Sequence, residues 1–298
     1  MIAALAVLML LPARGEELRR FEAVEQHMGT LVSMRVYAAN SVLAQRALEK
    51  AFNRVRDLDN LLSDYKPDSE VSRFATGKPV AASADLLALL RIAGEVWKKS
   101  DGAFDVSIGA VTHLWRAARA EGRLPTDEEL RVALTRSGYQ HVQVNARKRT
   151  VLLGKDGMKL DLGGIAKGYA ADAALDVLRA SGVRRALVAV SGDLAIGDPP
   201  PGKQGWQVEI AGGRVLELNN CGVSTSGDQE QHWEIGGKRY SHIVDPRTGK
   251  PLESSREVTV VTDRSAISDA IATAICVTGN PDERQFTNRH RTRIYLVP

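Results

Sequence analysis

The chain has 298 residues, 44% of them apolar and 26% charged, an ordinary globular balance that excludes disordered and collagen-like classes. Its formal charge of +4 is mild and the basic residues are spread along the chain, so no nucleic acid partner is expected, while an anionic small ligand stays open. The length suits one large domain or two modest ones.

The first residues, "MIAALAVLMLLPARGEE", hold an apolar run too short to span a bilayer and followed at once by charge. We read residues 1–16 as a signal-like leader, with the small residues of "PARG" near the cleavage point, although a positive n-region is missing. The expected location is therefore exported, in the periplasm or at the cell envelope. A mis-assigned start or a short buried N-terminal segment is the alternative. No cysteine follows the run, so no lipid-anchor Cys is available. Cys276 falls in an apolar helical pattern and reads as a small core residue, and no disulfide with Cys221 is predicted.

Next, "HMGTLVSMRVYA" alternates apolar and β-branched residues and predicts a strand opening at a Met-Gly-Thr turn. Helical spacing over "SVLAQRALEKAFNRVRDLDNLLS" predicts a helix that ends in the polar loop "DYKPDSEVSRF". "ADLLALLRIAGEVWKKSDG" is a second amphipathic helix, stopped by Asp101-Gly102. "AFDVSIGAVTHLW" then leads into a charged helical insertion or lid, "RAARAEGRLPTDEELRVALTRSG". Tyr65 in the first loop could stack on a flat ring, and Phe104 or Asp105 could line the same cleft; an ordinary loop aromatic and a capping carboxylate give the same pattern.

The second half starts with strands at "VQVNARKRTVLL" and "MKLDLGG" and continues into the helix "IAKGYAADAALDVLRASG". Strands follow at "RALVAVSG", "WQVEI", "GVSTSG", "HWEIGGKRYSHIV" and "REVTVVT", before a last helix "AISDAIATAICVTG". The architecture expected is α+β, antiparallel sheet with flanking helices.

Three stretches carry chemistry. In "KLDLGGIAKGYAADAAL" a strand ends at Asp161, two glycines follow and a helix begins near Ile165, with Lys167 off its packing stripes. A helix N-terminus with Gly-Gly and Lys suits a phosphate; an ordinary turn with a solvated lysine is the other reading. In "SAISDAIATAICVTG", Asp269 and Thr273 stand four apart and project from one face of a nearly all-apolar helix. A hard, oxygen-ligated cation such as Mg²⁺ would satisfy that carboxylate. Alternatively Asp269 sits in the first turn and serves the helix dipole, with Thr273 bonded to the preceding turn. In "YSHIVDPRTGKP", His242 precedes a tight turn at a strand end, where its side chain can face a cleft as a general base; the same residues also make an unremarkable polar hairpin loop.

Taken in order, "HMGT", "LLSDYKPDSEVSRF", "GAFDVSIG", "LDLGGIAKGYAAD", "VSGD", "GVSTSGD", "KRYSHIVDPRTGKP" and "SDAIATA" resemble the ApbE-type flavin transferases, also called FAD:protein FMN transferases. The resemblance implies one T-fold-related family domain, here spanning 21–298. It implies Mg²⁺-dependent transfer of FMN from FAD to a Thr hydroxyl of an acceptor protein, with release of AMP. The acceptor would carry a short Thr-containing motif and belong to a membrane redox complex. Carried over residue by residue, Met28, Tyr65, Ala103, Phe104, Asp105, Asp161, Lys167 and Ile243 would contact FAD. Asp269 and Thr273 would ligate Mg²⁺ with the backbone carbonyls of Gly164 and Ala272, and His242 would be the base. Hydrolysis of FAD to free FMN and AMP, or binding of FAD without catalysis, are the rival readings.

Overall fold

The computed structural model describes residues 17–74, 77–227, 232–235, 237–253, 256–286 and 291–297, so the leader expected at 1–16 lies outside the described residues. In chain order the elements are β1 (Arg19–His27), β2 (Thr30–Ala38), α1 (Ser41–Leu62), β3 (Val80–Ala81), α2 (Ala84–Lys99), α3 (Gly109–Ala120) and α4 (Asp127–Thr135). They continue with β4 (Val142–Asn145), β5 (Thr150–Leu153), α5 (Ala166–Ala180), β6 (Ala186–Val190), β7 (Asp193–Ile196), β8 (Trp206–Ile210) and β9 (Arg214–Leu218). The last are β10 (Cys221–Ser226), β11 (His232–Ile235), β12 (Lys238–Ser241), β13 (Glu257–Thr262), α6 (Ser265–Thr278) and β14 (Arg293–Val297).

A seven-stranded antiparallel sheet in the order β1-β2-β6-β7-β10-β13-β14 is the frame. The Met28–Gly29 link between β1 and β2 has both residues at positive φ (53° and 70°), the twist a two-residue hairpin needs. Period-2 alternation gives the sheet two apolar faces. On β6, Ala186, Val188 and Val190 face the larger core with helices α1, α2, α5 and α6, while Leu187 faces a smaller core capped by the β8–β9 hairpin through Trp206, Val208, Leu216 and Leu218. The helices form where their ends are satisfied. Asn40 caps α1 by accepting from the Leu43 N–H (2.9 Å), Ser83 caps α2 by accepting from Leu86 (3.1 Å), and Thr126 with Glu129 builds a capping box on α4. Gly279 in the left-handed region closes α6.

The α+β expectation holds, with three differences. "MKLDLGG" is not a strand: its pairing is a single parallel bridge from Lys159 to Ile108 plus the Asp161 N–H donating to the Val106 carbonyl, because the partner chain turns into α3 at Gly109. Strands β1, β3, β7 and β9 were not expected, and the C-terminal segment supplies an edge strand, β14. Cys276 is buried as read, its thiol against the Ser226 carbonyl. Among the described residues no helix is long and apolar enough to cross a membrane.

Candidate active site

Two of the three chemistry-bearing stretches, those of Lys167 and of Asp269, meet where α5 and α6 begin. Gly168 allows this: a Cβ there would lie 2.5 Å from the Ser265 carbonyl oxygen, so only glycine permits the first turn of α5 to pass the start of α6. Asp172 reinforces the contact by accepting from the Ser265 and Ala266 N–H groups (3.0 Å each), capping α6 from the neighbouring helix. Asp269 is the fifth residue of α6, not in its first turn, which removes the helix-dipole explanation for it.

Asp269 is 4% exposed, and its Oδ2 accepts from the Gly168 N–H at 3.1 Å. Burial pushes its carboxyl well above the usual range, and the nearby Asp193 carboxylate pushes in the same direction. Asp193, 3% exposed at the start of β7, is likewise raised by burial, with Lys167 opposing. The Lys167 ammonium sits 3.4 Å from Asp193 Oδ2, so it is ion-paired rather than simply solvated. Two buried carboxylates share one lysine. Asp193 was missed in the sequence, although it ends the "VSGD" stretch and is the one charge in an otherwise apolar strand.

Thr273 lies one turn beyond Asp269, close to Gly164: a Cβ on Gly164 would be 3.0 Å from Thr273 Oγ1 and 3.3 Å from the Phe104 ring. Ser226 Oγ on β10 is 3.4 Å from Thr273 Oγ1. Gly164, Phe104 and Thr273 therefore meet, and Ala272 is fully buried beside Thr273. Carboxylate, hydroxyl and backbone oxygens at a place with excess buried negative charge fit a hard divalent cation. Among the described residues no group of three or more His, Cys, Asp or Glu side chains is placed to hold a metal, so hydroxyl and backbone oxygens would have to complete the set around Asp269.

Ala103 and Asp105 are buried, and the Asp105 carboxylate turns inward. It accepts from the Ser107 N–H (2.7 Å), the Ser107 hydroxyl (2.6 Å) and the Tyr139 N–H (2.9 Å). Its side chain builds the loop that presents Phe104. Burial raises its pKa against those hydrogen bonds. A carboxyl that holds its proton more tightly when folded contributes stability that is full below its unfolded value, near ~3.9, and is lost as pH rises through the folded value. Asp105→Asn is therefore expected to flatten this acid-to-neutral decline. It should also lower stability at neutral pH by about 1–3 kcal/mol, since an amide cannot accept from both Ser107 and Tyr139; thermal melts between pH 4 and 7 read both effects.

Asp161 lies at the entrance to the Gly-Gly turn, with Oδ1 accepting from the Gly163 N–H (2.9 Å) and Oδ2 from the Thr112 hydroxyl and Arg116 (2.6 Å each). Tyr65 is 75% exposed, and Met28 is half-buried in the β1–β2 turn against the larger core. The His242 stretch is a rigid corner. The buried Ser241 hydroxyl accepts from the Ile243 N–H (3.1 Å), and backbone bonds link Ser241, Ile243 and Asp245 to Leu252 and Lys250. Asp245 closes the turn by accepting from the Arg247 N–H and guanidinium (2.8–2.9 Å). Ser241 and Ile243 are buried and His242 is exposed between them. The corner is fastened to α3 by the Trp115 indole donating to the Gly249 carbonyl at 2.7 Å and by the Trp115–Tyr240 ring contact.

Lys167→Met keeps the helix-forming stem but leaves Asp193 without its cation beside Asp269. Breaking a buried pair costs about 3–5 kcal/mol, and the lower end is expected because Lys167 is one-third exposed. Denaturant melts should show that loss together with weaker nucleotide binding.

The ApbE family model matches residues 28–296. The FAD:protein FMN transferase of Treponema pallidum is 33% identical over 287 residues, covering 88% of this chain and 79% of that protein. The enzyme of the same name from Salmonella typhimurium is 30% identical over 286 residues, covering 91% and 82%. Among solved structures, the ApbE protein of Thermotoga maritima superposes with a TM-score of 0.84 at 29% identity, covering 94% of each chain. The flavin transferase ApbE of Vibrio cholerae gives 0.79 at 26%, covering 94% and 97%. A family model spanning nearly all of the described fold, relatives at about one-third identity and the same architecture lead to one conclusion: the chain belongs to the ApbE family.

Proposed function

We propose that this chain is an FAD:protein FMN transferase that moves FMN from FAD onto a Thr hydroxyl of an acceptor protein and releases AMP. The observation that carries the reading is the buried Asp193–Lys167–Asp269 cluster beside Thr273 and Gly164, at the converging starts of α5 and α6. It supports binding of a cation and a pyrophosphate at one place. Asp269 and Thr273, with the Gly164 and Ala272 carbonyls, would hold Mg²⁺, which when bound supplies charge neutralisation at phosphate oxygens.

This chain's own residues do the rest. Lys167 faces the anionic part of FAD while keeping Asp193 neutralised. Phe104, Met28 and Ile243 give apolar contact to the rings, Tyr65 offers an exposed aromatic face, and Asp161 marks the polar rim. A Thr hydroxyl is a poor nucleophile at neutral pH, and His242 takes its proton as the P–O bond to FMN forms and the pyrophosphate bond to AMP breaks. Exposure of His242 suits this role, since the acceptor arrives from solvent. The acceptor is expected to be a subunit of a membrane redox complex and the enzyme to be exported. Incubation with FAD and Mg²⁺, with and without an acceptor, followed by nucleotide analysis tests the reading: AMP appearing only with acceptor supports transfer, AMP and free FMN without acceptor indicate hydrolysis, and unchanged FAD indicates a binder.

A further inference from the structure

Arg116 occupies a position that the predicted contacts leave unexplained. It stands on the same face of α3 as Thr112, four residues earlier, and its Nη2 lies 2.7 Å from Asp64 Oδ2 and 2.6 Å from Asp161 Oδ2. The guanidinium also lies 4.3 Å from the centroid of the Tyr65 ring. Asp64 and Tyr65 belong to the loop after α1, and Asp161 belongs to the turn into α5, so one side chain ties together two segments far apart in the sequence. Both contacts run through that one nitrogen, and both carboxylates are largely buried, with 10% and 14% of their side chains exposed. His113 contacts Asp64 from the same helix at 3.2 Å. With one face of its ring over Arg116 and three-quarters of the residue in solvent, Tyr65 offers its opposite face to a planar ligand.

We propose that Arg116 is a positioning residue for the nucleotide substrate: it backs the Tyr65 ring and anchors Asp161, so that the aromatic platform and the polar rim present themselves to FAD in fixed register. This rests on the flavin-transfer reading above. The role divides into two parts. The positive charge neutralises Asp64 and Asp161, which any cation can do. The flat guanidinium stacks on Tyr65 while reaching both carboxylates, which an ammonium cannot do at once.

Arg116→Lys separates the two parts, and Arg116→Met removes both. Wild type, Arg116→Lys, Tyr65→Leu and the double variant are compared by FAD titration followed through flavin fluorescence, by thermal melting and by steady-state transfer. Arg116→Lys is expected to keep the melting temperature and kcat near wild type while weakening FAD binding and raising KM by about tenfold. Once Tyr65 is gone the lysine substitution should cost much less, so the two changes are not additive. Arg116→Met should lose thermal stability as well. FAD affinity unchanged in Arg116→Lys, or fully additive losses in the double variant, overturns the positioning role while leaving the transferase reading intact. Absence of FAD binding by wild type overturns both.

Discussion

His242→Gln is expected to reduce single-turnover flavin transfer by roughly 10²–10⁴-fold, the contribution of a positioned general base, with FAD affinity and melting temperature close to wild type. The corner explains why binding and stability should survive. Ser241 and Ile243 carry the burial and the backbone pairing to Leu252, Asp245 and Arg247 lock the turn, and His242 is exposed between its buried neighbours. The wild-type rate should fall in acid, where a protonated imidazole cannot accept the hydroxyl proton, and the variant should lose that dependence. A histidine with only a structural role would give the opposite pattern, in which melting temperature and FAD affinity fall together and the residual rate keeps the wild-type pH profile.

The second large effect is expected at Asp269. Asp269→Ala should abolish Mg²⁺-dependent turnover, because the only charged oxygen of the proposed set is removed, whereas Thr273→Ala loses a neutral oxygen and should be milder. Stability should move differently. In the absence of metal, Asp269 opposes Asp193 in a buried site, so its removal relieves a like-charge repulsion at the cost of one hydrogen bond to the Gly168 N–H. The metal-free variant should therefore melt near or above wild type, yet gain nothing when Mg²⁺ is added, while wild type gains. Full Mg²⁺-dependent activity in Asp269→Ala would place the metal elsewhere.

Much of this was legible in the chain because local signals and tertiary packing agree. The periodicity of "SVLAQRALEKAFNRVRDLDNLL" and the amphipathic pattern of "ADLLALLRIAGEVWKK" predict helices where α1 and α2 are found, and the alternation of "TLVSMRVYA" predicts β2. What was not legible depends on distant partners. "MKLDL" has strand-like alternation, but its neighbour bends into α3 and leaves it almost nothing to pair with. Strand β7 is four residues long and takes its identity from β6 and β10 on either side. At the site, the spacing of Asp269 and Thr273 could be read from one helix. The pairing of Lys167 with Asp193 could not, since the two stand 26 positions apart, one on α5 and the other on β7, and these elements meet only in the folded chain. Asp105 shows the reverse: its place in "GAFDVSIG" suggested a cleft, while its carboxylate is committed to Ser107 and Tyr139. Arg116 carried no signal at all, because its two carboxylate partners lie 52 and 45 residues away in the sequence.

The most direct measurement of the central claim is intact and peptide mass spectrometry of a Thr-containing acceptor subunit after incubation with the enzyme, FAD and Mg²⁺, with AMP quantified in the same sample. The predicted result is one FMN unit covalently attached to the acceptor threonine for each AMP released, with the adduct lost in His242→Gln. An unmodified acceptor alongside free FMN and AMP, or FAD recovered unchanged, would contradict it.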